Sequence, residues 1–474
     1  MKTWIKVSLL ILLISSLKAY STLNIGKFLY VNSIVKQSNR LVVATDGGVF
    51  LYNLFDNKIE HTLVTQFAVK LCIIQNLLTG FFVDYMGNLY RWDIGHDEKY
   101  FISSVGPATS LGVCCDKIYI ENNGNVTAYT NSGIRIGPAK PEPGTYWVGK
   151  INSIKRGDDK IIFLQPYFFI DNYAGRIDFS YFYKNFTDLW VGTRGKGIYK
   201  YDLNLRIKTD SIQIGLPFRE VQSIASDGKY IFIGGNNGLV RFDGNIWMPI
   251  LSGGQSGLSC PNILKLEVAD QRLIIGTQCD IEYLGKYRIN RLIRNATLLG
   301  VSRNIIIAQN NDHVYYFNLS GAVLKEFKFP YKIKKILNFG SSELLLANDN
   351  ILKISDSTIL PLRSLNAFSP IYSMTVSKDT LFVLSEIGLL EVSDGIIEKL
   401  VLPFRPASNT PYPMICIREK IFIGSTDGLY MFNRKTGNLE KIFCSLPDNR
   451  VNTLSYWHGK LFVGTPSGLC IITP

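Results

Sequence analysis

The chain has 474 residues, 46% of them hydrophobic and 19% charged, with a formal net charge of +13. That length exceeds one ordinary core and allows two domains or one large ring, while the composition excludes a disordered or collagen-like chain. Its 25 Tyr and 27 Phe favour strands over helices, and the scattered basic charge, without a long Lys/Arg run, argues against nucleic acid as the partner.

At the start, Lys2 and Lys6 form a positive region, residues 7–14 are apolar except for Ser8, and small residues follow at Ser15, Ser16, Ala19 and Ser21. The pattern predicts a signal peptide over residues 1–20, cleaved after Ala19 or Ser21, and so an exported protein: periplasmic, cell-surface or secreted. The run is too short to span a bilayer well, and no second run of spanning length follows. Loss of Lys2, Lys6 and Lys18 takes the net charge from +13 to +10, a balance compatible with an acidic glycan or another anionic partner.

Beyond the leader, apolar triplets that each precede a turn begin at Leu41, Phe81, Ile118, Ile161, Leu189, Ile231, Leu273, Ile305, Leu344, Leu381, Ile421 and Leu461. They recur at about forty residues. One spacing falls to 28, between Ile161 and Leu189. Around each triplet the grammar is constant. An alternating segment such as residues 221–226 comes first, then a polar turn, the triplet, a Gly/Asn/Asp turn, a short alternating strand and a last strand. Four short strands with tight turns fill such a repeat, which predicts an all-β fold of about twelve four-stranded β-propeller blades. A β-helix uses shorter repeats, and helical solenoids need i, i+3, i+4 patterning that these segments lack.

The final unit ends one strand short, and residues 23–30 are predicted to supply the missing outer strand of the last blade, closing a ring and hiding a sheet edge. Twelve units are too many for one ordinary ring, so the expected division is a first propeller region over 21–217, with about five blades and irregular at 139–188, and a second over 218–474 with about seven. Six plus six, or one ring of twelve, are the alternatives.

The best-kept unit reads Leu189-Trp-Val-Gly-Thr, then Gly197-Ile-Tyr-Lys-Tyr-Asp. It resembles the two-component regulator propeller repeat, as do the units at Ile231, Ile421 and Leu461. The Leu273 unit keeps Gly276-Thr277 but has Cys279-Asp280 where the glycine should be. The resemblance implies the propeller fold and an extracytoplasmic, binding-type role. Relatives of that kind often form the sensing half of a hybrid sensor kinase. With no sandwich domain, membrane helix or kinase region in the sequence, signalling does not carry over.

Chemistry-bearing motifs are sparse. No Gly-x-Ser-x-Gly elbow, phosphate loop or metal signature occurs, and the Asp residues sit mostly in turns, where turn geometry alone explains them. His61, His96, His313 and His458 are isolated and no Cys-x-x-Cys exists, so neither a metal nor a cofactor is expected and no residue is assigned a catalytic role. Cys72, Cys114, Cys115, Cys416 and Cys470 read as small buried hydrophobes in apolar strands. Cys260 and Cys279 lie beside turn residues whose loops fall on one face of one blade, and are the expected disulfide.

Residues 145–190 are dense in aromatics, with Tyr181 and Tyr183 near Arg176 and Lys184. Such a segment fills a seam between two propellers or makes a sugar-stacking surface; the seam is the preferred reading. Arg194 and Lys196 occupy the turn of the best-kept unit, on a face where propellers hold ligands. Tyr181, Tyr183, Arg194 and Lys196 are therefore the ligand-binding candidates. The expected function is an exported, non-catalytic binding or scaffold module for an envelope protein or glycan. A propeller-based lyase or hydrolase, and a structural subunit of a surface assembly, are the alternatives.

Overall fold

The computed structural model describes residues 20–149, 168–171, 175–205, 207–236, 238–252, 257–285, 289–339, 342–355, 358–393, 396–404, 406 and 412–473. The leader and the Ile161 unit lie outside these residues. The described residues form eleven antiparallel sheets, nine of four strands and two of five. In chain order, sheets 1 to 4 cover 31–64, 69–104, 110–148 and 168–212. Sheets 5 to 10 cover 221–252, 263–293, 297–328, 333–361, 371–400 and 414–441. Sheet 11 joins 453–473 to Ser21–Ile25, so the first described strand pairs with the last, Ser21 opposite Thr473 and Ile25 opposite Leu469. The architecture is thus all-β, built from the kind of unit that makes a multi-bladed propeller.

Ten of the eleven triplets within the described residues fall in the second strand of their repeat, for example Arg40–Thr45 and Lys460–Thr465, and the Leu189 triplet falls in Asp188–Thr193, the third of the five strands of the fourth sheet. Their burial explains the apolar runs: in each of these strands every residue after the first is buried. A strand covered on both faces loses the alternation that a half-solvated strand keeps.

The Gly-Thr and Gly-Leu signatures have separate physical causes. The hydroxyl closes the turn between strands two and three. Thr45 Oγ1 donates to Gly48 O at 2.8 Å, Thr193 Oγ1 to Gly197 O at 2.8 Å, Ser425 Oγ to Gly428 O at 2.9 Å and Thr465 Oγ1 to Gly468 O at 2.8 Å, all buried. The glycine is required because the fourth strand comes too close for a side chain. A Cβ at Gly197, where φ is +72°, would stand 2.3 Å from Ile212 O, and one at Gly468 2.5 Å from Ile25 O. In the sixth sheet the turn keeps its Thr277 bond to the carbonyl of Asp280, while the Asp280 carboxylate accepts the Asn295 amide at 2.9 Å and pairs with Arg291 at 2.7 Å.

First strands of consecutive sheets lie against one another, the strand Gly175–Asn185, second in the fourth sheet, taking that place there. Val31–Gln37 packs on Val69–Ile74, and that strand on Ser110–Cys114; Gly175–Asn185 packs back onto Val31–Gln37. Among the later sheets, contacts run from Val221–Ser226 through each first strand in turn to Thr453–Trp457, which packs back onto Val221–Ser226. One core cluster joins sheets 1, 4, 5 and 11: Ile25, Phe28, Phe50, Trp190, Phe218, Trp247, Trp457 and Phe462 are all nearly inaccessible.

Three cysteine expectations need correction. Cys72 and Cys470 are buried, but Cys115 is exposed, and Cys114 and Cys416 are half-buried. Cys114 ends the strand Ser110–Cys114 and Cys115 begins the turn after it, so neither lies mid-strand where both faces are covered.

Candidate functional site

In a four-stranded meander, the entry to strand one and the turn between strands two and three emerge on the same face. On that face Asp46 of the first sheet gathers partners from four elements. Its carboxylate accepts bonds from Lys27 Nζ and Asn32 Nδ2, each at 3.1 Å, and stands 3.5 Å from the Arg194 guanidinium. Asn32 Oδ1 accepts from Arg194 at 2.8 Å and from the Tyr85 hydroxyl at 3.2 Å. Arg219, at the entry to the fifth sheet, donates to the carbonyls of Asp46 and Gln66. Lys27 also stands 3.8 Å over the Tyr30 ring, whose hydroxyl pKa is raised by burial and by Asp46. Lys27 and Arg194 face the Asp46 carboxylate while Arg219 holds its backbone carbonyl, and the network ties the first sheet to the entry of the fifth.

The candidates from the sequence are therefore dispersed. Arg194 is at the surface in this network. Lys196 is 5% exposed and its Nζ donates to Pro249 O at 3.2 Å, bridging sheets four and five. Tyr181 and Tyr183 lie in Gly175–Asn185, part-buried against the cores of sheets 1 to 3 and of sheets 1, 5 and 11. The Tyr181 hydroxyl accepts the Gly149 amide at 3.2 Å, and that of Tyr183 donates to Lys36 O at 3.4 Å. Burial pushes the Tyr183 pKa up. Both hydroxyls thus bond to backbone outside their own sheet. Replacing Tyr181 and Tyr183 with Ser is expected to cost about 3 kcal/mol each, the scale of emptying an aromatic site, in denaturant unfolding. Unchanged stability with lost glycan binding would return the pair to a binding surface. Cys260 and Cys279 have Cα atoms 5.9 Å apart with their sulfurs in bonding contact.

A second site lies where three first strands face each other: Ile263–Ala269, Thr297–Ser302 and Ile333–Phe339 enclose a cavity of about 310 Å³. Lys265, Glu267, Ser302, Lys335 and Asn338 line it. Each strand carries a register shift near its start, between Ile263 and Lys265, Leu298 and Gly300, and Ile333 and Lys335. A bulge re-aims the following side chain, which here places Lys265, Gly300 and Lys335 at equivalent positions. Gly300 leaves the room: a Cβ there would meet Lys265 Nζ at 3.8 Å and Glu267 Oε1 at 4.0 Å.

Lys265 pairs with Glu267 at 3.3 Å and donates to Leu299 O, and Asn338 Nδ2 donates to Ser302 Oγ at 2.9 Å. Lys335 is lowered to about 8 by burial first and by repulsion from Lys265 second, with Glu267 opposing. Two ammonium groups against one carboxylate leave the cavity lining with a net positive charge. Sequence reading missed it because its members are a full repeat apart; the available signal was a Lys third in two first strands where the fifth and ninth sheets carry Ser223 and Ser373.

No family model matches the chain, and no curated protein matches it. Among solved structures, the chain is similar to the extracellular domain of a proposed one component system from B. thetaiotaomicron, at 13% identity and a TM-score of 0.48, covering 93% of this chain and 75% of that one. PorZ, a surface component of the type-IX secretion system of Porphyromonas gingivalis, is similar at 12% identity and a TM-score of 0.44, over 94% of this chain and 74% of that one. Virginiamycin B lyase from Staphylococcus aureus is similar at 11% identity and a TM-score of 0.44, over 54% of this chain and 95% of that one. Likenesses this distant carry no argument about activity or partner. Among the described residues no helix is long and apolar enough to cross a membrane.

Proposed function

We propose that the protein is an exported, non-catalytic propeller that binds an anionic envelope glycan, with the Lys265–Lys335 cavity receiving a carboxylate or sulfate. The returning contacts among first strands support two rings, sheets 1 to 4 with whatever residues 150–167 add, and sheets 5 to 11. In this reading the strand Ser21–Ile25 closes the second ring, the repeats are of the two-component regulator type, and the cavity lies on the axis of the second ring. A Cys260–Cys279 disulfide would pin the entry loop of the sixth sheet over its own turn.

The observation that carries the reading is the convergence of Lys265 and a half-buried Lys335 beside a single carboxylate. An ammonium there is partly dehydrated, a cost that an anion offsets. Titration of the full chain with oligogalacturonate and with a sulfated oligosaccharide, against a neutral oligosaccharide of equal length, tests it. Binding of an acidic probe should weaken about tenfold to a hundredfold in Lys335→Met, since charge-assisted bonds contribute about 1.5–3 kcal/mol. It should also weaken as pH rises through about 8, where Lys335 loses its proton. Equal affinity for the neutral sugar, or binding indifferent to Lys335→Met, would refute the assignment. Retention of a stoichiometric envelope protein with no affinity for either acidic probe would favour a scaffold instead.

A further inference from the structure

On the opposite face, where strands one and two turn, sheets 1 to 3 border a cleft of about 630 Å³ lined by Arg40, Gln75, Cys114, Cys115, Asn131 and Tyr146. Two adjacent cysteines stand in its wall. Successive residues of a strand point to opposite sides, but Cys115 has φ +53° and turns out of the strand, so its Sγ lies 3.4 Å from that of Cys114. Gln75 of the second sheet donates to Cys115 O and holds the turn in place.

Across from the two thiols runs the connection between strands Arg135–Pro138 and Tyr146–Val148. Glu142 is set within it by Thr145, whose Oγ1 and amide donate to Glu142 O at 2.6 and 3.2 Å. Cys114 Sγ is 3.8 Å from Pro143 O, and Lys117 Nζ is 2.5 Å from Glu142 Oε1. The sulfurs of Cys114 and Cys115 and a carboxylate oxygen of Glu142 all lie within 4.8 Å of one another.

We propose that Cys114, Cys115 and Glu142 form a binding site for a thiophilic divalent cation of the zinc class, open to the cleft. Zinc bonds sulfur at about 2.3 Å and carboxylate oxygen at about 2.0–2.2 Å, so a tetrahedral centre sets two sulfurs roughly 3.8 Å apart. The present 3.4 Å needs only a small opening. Charge also closes: two thiolates and a carboxylate carry three negative charges, which Lys117 and a dication balance. Three protein donors leave one position for water or a ligand from the cleft, the arrangement of an open rather than a structural site. Metal uptake releases the two thiol protons. The absence of Cys-x-x-Cys spacing hid the site, because its third donor comes from a loop 27 residues past Cys115.

Cadmium titration of the reduced full chain, followed by the thiolate-to-cadmium ultraviolet band and by zinc competition, tests it. One equivalent should bind. Cys114→Ser and Cys115→Ser should each weaken binding at least about a hundredfold, and Glu142→Gln about tenfold, with Cys416→Ser unchanged as the control for a half-buried thiol elsewhere. Equal uptake by Cys114→Ser and the parent chain overturns the proposal. So does a Cys114–Cys115 disulfide in protein isolated without reductant, because that bond consumes both sulfur donors.

Discussion

Removal of residues 20–30 is expected to abolish the cooperative melting of the chain at its parental temperature. The segment supplies the outer strand of sheet 11, five residues in register with Leu469–Thr473. It then carries Ile25 and Phe28 into the core shared by sheets 1, 4, 5 and 11, and Leu29 is buried beside them in the chain, each of the three 0% exposed. Its backbone is equally engaged. Gly26 O accepts the Leu216 amide at 3.0 Å, and Leu29 O accepts the amides of Gly195 and Gly197, both at 3.0 Å. Truncating one large buried side chain costs about 2–5 kcal/mol, so losing three exceeds much of the roughly 5–15 kcal/mol that holds a domain folded. Phe28→Ala isolates one part of the effect and should cost about 3–5 kcal/mol. A deletion variant that melts like the parent by circular dichroism would show that the pairing with Gly468–Thr473 contributes nothing to stability.

Trp190→Ala should lower the unfolding free energy by about 3–5 kcal/mol in urea. Trp190 is 2% exposed, sits opposite Tyr183 and Lys200 in its sheet, and meets residues of sheets 1, 5 and 11 in the shared core. Lys200 Nζ lies 5.3 Å from its ring, so part of the packing is cation–π. The midpoint should fall without a change in slope if one cooperative unit is affected. A loss below about 1 kcal/mol would mean that this core does not couple the sheets it touches.

Arg194 and Lys196 show where reading the chain stops. Both stand in one glycine-punctuated turn, and local spacing gives them equal claims to the surface. The structure buries Lys196 under Pro249 and brings Arg194 to Asp46 and Asn32, more than a hundred residues away. Tyr181 and Tyr183 were legible as seam or surface, and only the tertiary structure shows their hydroxyls bonded to the backbone of Gly149 and Lys36. Cys114 and Cys115 misled, because an apolar neighbourhood in sequence says nothing of whether a strand end is covered.

The repeat period, the second-strand triplets and the Gly-Thr and Gly-Leu turns could be read from the chain alone. Each recurs at a fixed place in every such repeat: a strand covered on both faces, a hydroxyl three or four residues from its carbonyl, and a backbone too close for a Cβ. That an N-terminal strand pairs with the last unit could be inferred as well, since an unpaired edge demands a partner, but its bounds could not: residues 23–30 were expected and Ser21–Ile25 pairs. The Lys265–Lys335 cavity, the Asp46 network and the cysteine–glutamate cluster were decided only by tertiary structure. Their members come from different sheets or from opposite ends of one sheet. No local periodicity records which side chains a bulge or a left-handed residue turns toward one another.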